Sequence, residues 1–221
     1  MTWKTRKELP RLKKIDIKFD IEKILEAYEE IKDNPWNAYD TDYKTLGDHY
    51  KGILKNSPYQ AESKSLMSLT EYNPEYKIDK NRNSGSKWDK VYMNGKHELD
   101  ARCYNKIKSG IPEYFSYMIQ TFQPNVSRVM LTKLQPGEML GKHIDHDTSI
   151  GVRYHIPIIT NSDSRIGFID DDGNDVLAHL PADGSVWFLN PGIVHWAENL
   201  GQEDRIHLII NMDTHRLINE C

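Results

Sequence analysis

The amino-acid sequence predicts a mainly β fold with flanking helices, in which short antiparallel strands build a jelly-roll core. From residue 126 onward, short stretches rich in Val, Ile, Leu and Tyr alternate with polar turns such as Gln135-Pro136-Gly137-Glu138 and Pro181-Ala182-Asp183-Gly184. Strands separated by turns about every 8–12 residues are typical of antiparallel sandwiches and barrels rather than of parallel sheets. A double-sheet jelly roll is the architecture that best accommodates this pattern.

The chain divides into two parts of different character within what we expect to be a single domain. Residues 1–125 are predicted to form a helical and irregular flank packed on the core, and residues 126–221 to form the jelly-roll core itself. A length of 221 residues suits one domain with such an annex. Within the flank, residues 32–94 are rich in Tyr, Asn, Ser, Lys and Gly, which predicts loops with short strands.

Two helices are predicted in the flank. Asp20 is a suitable N-cap for a helix whose apolar side chains recur with a period of about 3.6 residues, namely Ile21, Ile24, Leu25, Tyr28 and Ile31. Pro35 ends this helix at Asn34, because the residue before a proline disfavours the helical conformation. The second helix is predicted from about Pro112 to Phe122, with the proline in its first turn.

The core is predicted to contain a series of strands rich in β-branched and aromatic residues. Alternating or continuous apolar runs, each bounded by turn residues, indicate strands over residues 127–134, 141–145, 150–160, 166–169, 176–180, 185–189 and 205–212. The run Asp170-Asp171-Asp172-Gly173-Asn174-Asp175 is a polar turn between two of them. This number of short strands is what a jelly roll requires.

Composition and charge limit the classes of partner. The net charge of −4 and the isoelectric point near 6.1 provide no basic field, so no nucleic-acid partner is expected. Cys103 and Cys221 lie far apart and suggest neither a disulfide framework nor a thiolate metal site, which favours a cytoplasmic protein. No stretch approaches about 18 consecutive apolar residues, so no membrane association is expected. The oligomeric state is not predicted.

A His-x-Asp pair with a distant histidine is the main candidate for chemistry. On a strand, residues i and i+2 point to the same face, so His143 and Asp145 can aim at one point, with His195 supplied by another strand or its end. Two imidazoles and one carboxylate on one face of a metal are diagnostic of non-haem Fe(II) oxygenases. His-x-Asp alone is a weak signal. His146 is discounted as a ligand because it would point away from Asp145.

Arginine residues near these positions suggest a carboxylate co-substrate. Arg205 follows His195 at the start of a strand, and a guanidinium gives two parallel hydrogen bonds to a carboxylate such as that of 2-oxoglutarate. Arg153 and His155 form a second i, i+2 pair that could face the same cavity. The alternatives are a surface arginine paired with a neighbouring acid and a structural pair at a strand rim.

Together these residues resemble the aspartyl/asparaginyl β-hydroxylase-like family of Fe(II)/2-oxoglutarate-dependent oxygenases. The resemblance extends from about Pro136 to Asp213, about a third of the chain. The matching motifs are Pro136-Gly137, His143-x-Asp145, Arg153-Tyr154-His155-Ile156-Pro157, Gly184-Ser185-Val186-Trp187-Phe188-Leu189-Asn190, His195, Asn199-x-Gly201 and Arg205-Ile206-His207-Leu208.

The resemblance implies a double-stranded β-helix (jelly-roll, cupin-like) core with Fe(II) bound by His143, Asp145 and His195. It also implies that Arg205, Arg153 and His155 hold 2-oxoglutarate, with O2 as the second co-substrate. The vertebrate hydroxylases that name the family lack the acidic iron ligand, whereas this chain has Asp145. In that respect the chain is more similar to the small bacterial hydroxylases of free amino acids.

The predicted function is a dioxygenase that hydroxylates an unactivated C–H bond of a free amino acid or of a peptide side chain. Two alternatives remain at this point. A cupin-type metal enzyme without oxygen chemistry could use the same barrel, although such sites usually carry a His-x-His pair with a glutamate. A non-catalytic metal-binding protein is the other alternative. The substrate itself, a small molecule or a peptide, is not predicted further.

Overall fold

The computed structural model of the chain describes residues 8–36, 66–71, 73–75, 104–145, 148 and 151–214. Numbered in chain order, its elements are β1 (Leu12–Lys18), α1 (Ile21–Ile31), β2 (Leu66–Ser68), β3 (Thr70–Glu71), β4 (Lys106–Ile107), α2 (Glu113–Gln120), β5 (Val126–Leu134), β6 (Met139–His143), β7 (Gly151–Ile159), β8 (Ser164–Ile169), β9 (Asp175–Ala178), β10 (Ser185–Leu189), β11 (His195–Asn199) and β12 (Arg205–Asp213).

The strands form two main antiparallel sheets. The larger sheet has six strands in the order β1-β10-β7-β12-β5-β2, and the smaller has four in the order β6-β11-β8-β9. From β5 to β12 the chain crosses repeatedly between the two sheets, which is the winding of a double-stranded β-helix. The predicted mainly β fold with a jelly-roll core is therefore confirmed. Strands β3 and β4 pair separately.

The larger sheet buries both of its faces. One face packs against α1 and α2 in an apolar cluster that includes Ile24, Phe115, Ile156 and Leu208. Because side chains alternate along a strand, the neighbours of Leu208 on β12 point to the opposite face, toward the smaller sheet. All nine residues of β12 are buried. The polar residues on that strand are therefore held inside the jelly roll.

Both predicted helices are present in the structure. The side chain of Asp20 accepts hydrogen bonds from the backbone N–H groups of Glu22 and Lys23, which confirms the predicted N-cap of α1. The second helix begins at Glu113, so Pro112 occupies the N-cap position rather than the first turn. None of the described helices is long and apolar enough to cross a membrane.

Apart from the two-residue strand β4, two strands were not predicted from the sequence. β1 is rich in lysine and half-exposed, so its alternation is weak, yet it extends the larger sheet by pairing with β10. β11 has the sequence His-Trp-Ala-Glu-Asn, in which polar residues mask the strand pattern. The larger sheet thus takes β1 and β2 from residues 1–125, and the division at residue 125 stays a prediction. Most of residues 37–103, where loops were predicted, lie outside the described residues.

Gly167 on β8 makes room for the indole of Trp196, which follows the candidate ligand His195 on β11. The two residues are register partners, and a Cβ added to Gly167 would lie 1.9 Å from Cε2 of Trp196. The ammonium group of Lys142, a residue of β6, lies 4.5 Å from the indole centroid of Trp196. The indole therefore links three strands of the smaller sheet through a contact that only glycine permits.

We expect Gly167→Ala to lower the free energy of unfolding by about 1–3 kcal/mol, because overpacking forces side chains or backbone to move. Gly141→Ala is the matched control, because a Cβ there meets nothing within 4 Å. The control should change stability by less than about 0.5 kcal/mol. Urea denaturation of both variants measures the difference. Equal losses in the two variants would show that the indole contact does not constrain the sheet.

Candidate metal centre

His143 and His195 lie opposite each other on two hydrogen-bonded strands. His143 is the last residue of β6 and His195 the first of β11, and the two are register partners in the antiparallel pair. Their ring centroids are 4.4 Å apart. The potential ligand atoms of His143, Asp145 and His195 all lie within 4.8 Å of one another, and within the described part of the chain this is the one such group.

Asp145 reaches this site from beyond the end of a strand. The sequence predicted a strand through residue 145, but β6 ends at His143. Its partner strand β11 begins opposite at His195, and the residues before it, 191–193, form a turn that offers no further strand pairing. The backbone N–H of Asp145 donates to the carbonyl of Pro191, at 3.0 Å, and this bond holds the residue near the histidines. Its Oδ1 lies 3.4 Å from Nε2 of His143, and its Oδ2 lies 3.3 Å from Nε2 of His195.

Hydrogen bonds to the backbone orient both imidazoles. Nδ1 of His143 lies 2.7 Å from the carbonyl oxygen of Gly141, and Nδ1 of His195 lies 2.9 Å from that of Ile193. A carbonyl can only accept, so each Nδ1 carries the proton and each Nε2 presents a lone pair toward Asp145. This arrangement is the usual support for a metal-binding histidine. The three side chains can therefore hold a divalent metal ion through two nitrogens and one oxygen.

The charge of Asp145 is stabilised by its surroundings. Burial alone would raise the pKa of this carboxyl group, but the Arg153 guanidinium and the two histidines outweigh burial and hold the pKa well below its usual range. Nη1 of Arg153 lies 2.6 Å from Oδ2 of Asp145. For His143, burial lowers the pKa, yet the carboxylate of Asp145, to which a protonated Nε2 would donate, raises it overall. Asp145 is therefore a carboxylate near neutral pH.

A second group of polar side chains lies on the inner face of the larger sheet. Arg205, on β12, is buried, and its Nη2 lies 2.9 Å from Nδ1 of His207. Burial lowers the pKa of Arg205 to about 9, so the guanidinium stays charged at neutral pH. No carboxylate among the described side chains forms an ion pair with it. His155 is also buried, and neither ring nitrogen has a hydrogen-bond partner within the described residues.

The structure thus distributes the six candidate residues over two adjoining groups. His143, Asp145 and His195 come together with Arg153, whereas Arg205 lies with His207, whose ring is 5.8 Å from that of His155. Sequence analysis gave no role to His207 and did not single out Asn211. Both lie at even spacings from Arg205 on β12, and that period-2 relation is the signal that could have revealed them.

Comparison with protein families matches residues 57–215 to the family described as aspartyl/asparaginyl beta-hydroxylase. The chain belongs to this family. The matched region includes both groups of polar residues and extends well beyond the third of the chain on which the sequence resemblance rested. No match is found among curated proteins.

Several solved structures are similar to less than half of this chain, at low sequence identity. A cupin domain from Bordetella pertussis Tohama I is 19% identical, with 41% of this chain and 84% of that chain covered and a TM-score of 0.31. A predicted oxalate decarboxylase from Thermotoga maritima is 22% identical, covering 42% and 72%, with a TM-score of 0.30. The non-haem α-ketoglutarate-dependent epimerase SnoN from nogalamycin biosynthesis is 14% identical, covering 40% and 46%, with a TM-score of 0.35. None of them bears on the activity of this chain.

His207 should make the stability of the protein depend on pH. Burial, followed by the charge of Arg205, lowers the pKa of His207 well below its ordinary value. The folded chain therefore stays neutral there at pH values where the unfolded chain already binds a proton. The free energy of unfolding should consequently fall as the pH drops below about 6.5, by about 1.4 kcal/mol per pH unit for this one proton.

In His207→Gln this proton uptake is absent, so the slope between about pH 6.5 and 5 should be smaller by up to about 1.4 kcal/mol per pH unit. Urea denaturation of the metal-free proteins across this range measures both slopes. The comparison with the unmodified chain cancels the contributions of the other histidines. Identical slopes would mean that His207 takes up its proton in the folded state as well.

Proposed function

We propose that this protein is an Fe(II)- and 2-oxoglutarate-dependent dioxygenase that hydroxylates an unactivated C–H bond of a free amino acid or of a peptide side chain. Membership of the aspartyl/asparaginyl beta-hydroxylase family supports a hydroxylase. The grouping of two imidazoles and one carboxylate supports iron, because this donor set leaves half of an octahedral site open. The absence of thiolate from the group agrees with the same choice.

The observation that carries the co-substrate assignment is the buried charge of Arg205. A buried guanidinium is costly unless a charged partner compensates it, and the described residues provide only the neutral ring of His207. The unpartnered nitrogens of His155 lie on the same inner face. An anion that enters the jelly roll would therefore complete the hydrogen bonding of both residues. A planar carboxylate suits the fork of an arginine.

The residues of the chain have distinct tasks in the proposed reaction. His143, Asp145 and His195 would hold the metal, and Arg205 would fix the far carboxylate of 2-oxoglutarate by charge and geometry. When bound, Fe(II) would supply the oxidative decarboxylation of 2-oxoglutarate by O2 and the oxidation of a substrate C–H bond. The protein contributes binding, orientation and exclusion of water. Arg205 transfers no proton, because it remains charged throughout.

We expect anaerobic addition of Fe(II) and then 2-oxoglutarate to the metal-free protein to produce a visible metal-to-ligand charge-transfer band. In Arg205→Met, the dissociation constant of 2-oxoglutarate from this band should rise by at least about 30-fold, because a buried charge pair contributes about 2–5 kcal/mol. His195→Ala should lose the band. Absence of the band in the unmodified protein with iron bound would contradict the co-substrate assignment and favour a cupin-type or non-catalytic metal protein.

Two controls isolate the role of Arg205. Pyruvate has the keto acid group but no far carboxylate, so its binding should be nearly the same in Arg205→Met and in the unmodified protein. Lys133→Met removes a positive charge from the neighbouring strand β5, where Lys133 is the register partner of Ile206 and its ammonium group lies 4.0 Å from Asp204. This control should leave the constant for 2-oxoglutarate unchanged. Equal losses for pyruvate and 2-oxoglutarate would mean that the arginine acts on the fold rather than on the far carboxylate.

A further inference from the structure

We propose that Arg153 and Asn211 are positioning residues that hold one oxygen of Asp145, so that this carboxylate binds a metal ion through its other oxygen alone. The inference rests on the metal site of the proposed function. It gives Arg153 a role different from the contact with 2-oxoglutarate that the sequence resemblance implies. It also gives a role to Asn211, which sequence analysis did not single out.

An ion pair followed by two hydrogen bonds connects the metal site to the backbone of the larger sheet. Nη1 of Arg153 lies 2.6 Å from Oδ2 of Asp145. On its other side, Nε of Arg153 donates to Oδ1 of Asn211 at 2.9 Å. The amide nitrogen of Asn211 in turn donates to the backbone carbonyl of Arg128, also at 2.9 Å. The carboxylate is thus tied through two side chains to β5.

Strand register makes this chain of bonds rigid. Arg153 and Asn211 are direct partners on β7 and β12, which are neighbours in the middle of the larger sheet. The orientation of the Asn211 amide is also fixed, since its oxygen must accept from Arg153 and its nitrogen must donate to a carbonyl. The hydrogen bond to Asn211 therefore fixes the orientation of the Arg153 guanidinium. In that orientation Nη1 lies against Oδ2 of Asp145.

The two oxygens of Asp145 consequently differ. Oδ2 lies 2.6 Å from Nη1 of Arg153 in an ion pair and 3.3 Å from Nε2 of His195, whereas Oδ1 lies 3.4 Å from Nε2 of His143. An oxygen already engaged by a guanidinium is a poorer metal donor. A metal ion among the three side chains would then receive one oxygen and two nitrogens. Three donors leave the open positions that a bidentate co-substrate and O2 both require.

The uncharged amide of Asn211 suits this task better than a carboxylate would. Asn211 accepts the Nε–H of Arg153 without neutralising the guanidinium, so the full positive charge remains available to Asp145. An aspartate at the same position would share the charge of Arg153 between two carboxylates. The variants Asn211→Asp and Asn211→Leu therefore perturb the chain differently. The first keeps an acceptor but adds a charge, and the second removes both hydrogen bonds.

The test is direct titration of the metal-free protein with Co(II), followed by its visible absorption, in the unmodified chain and in three variants. Asn211→Leu and Arg153→Lys should raise the cobalt dissociation constant by roughly 10- to 100-fold, as for other residues that orient metal ligands. The cobalt absorption spectrum should also change, because the carboxylate of Asp145 is then no longer held in one orientation. Asn211→Asp should give an intermediate constant. Ile209→Val, on the same strand and face, is the control and should change neither quantity.

Affinity for 2-oxoglutarate, measured at saturating Co(II), separates the two roles of Arg153. If Arg153 only positions Asp145, the dissociation constant of 2-oxoglutarate in Arg153→Lys should stay within about threefold of that of the unmodified protein. The effect of the substitution then appears in the affinity for the metal instead. An unchanged cobalt constant with a strongly raised constant for 2-oxoglutarate would overturn the proposal and make Arg153 a co-substrate contact. Unchanged values for both would overturn it as well.

The same measurements distinguish this proposal from the proposed function. If the unmodified protein binds cobalt but no 2-oxoglutarate, the dioxygenase assignment fails. The dependence of the cobalt constant on Asn211 would in that case still support the positioning role. If cobalt binds no better to the unmodified protein than to His143→Ala, the metal site fails, and with it both proposals. Circular dichroism spectra of all variants verify that each is folded.

Discussion

The structure depends on one strand that is buried on both faces. β12 lies in the middle of the larger sheet. Its apolar face packs against the helices, and its polar face points into the jelly roll. The side-chain period of two separates these faces strictly, because a shift of one residue would exchange them. Such a shift would place Arg205 against the helices and Leu208 on the face that points into the jelly roll. The apolar core and the polar site therefore specify the same register.

The polar face is stable only because its groups compensate one another. Arg153 and Asp145 form a charged pair, and Asn211 satisfies a further N–H of the guanidinium. Arg205 forms no ion pair with an acid among the described residues, and the neutral imidazole of His207 is a weaker partner. Buried charges and unmet hydrogen bonds cost free energy of folding. This cost in folding free energy falls on the site where a bound anion would reduce it. Energetically costly groups are often found at functional sites.

Much of the fold could be predicted from the sequence, as could the grouping of His143, Asp145 and His195, and the failures have local physical causes. The turns and the β-branched runs predicted most core strands, and the Asp20 cap predicted α1. β11 was missed because polar residues fill an inward-facing strand when they serve a site rather than a core. The partner of Arg153 could not be predicted either. Sequence spacing cannot tell which neighbouring strand supplies a contact, and here the register of β7 with β12 decides it.

The distribution of charge favours a dicarboxylate over a singly charged ligand. Asp145 and Arg153 neutralise each other, and burial keeps the histidines at positions 155 and 207 uncharged, so Arg205 carries the remaining positive charge near the site. A divalent metal ion would add two further positive charges. A single carboxylate would leave most of this charge uncompensated in an interior where screening by water is weak. A dianion with its charges at opposite ends can meet the metal with one and Arg205 with the other. The separation of the two polar groups is thus an argument for the dicarboxylate co-substrate that we propose.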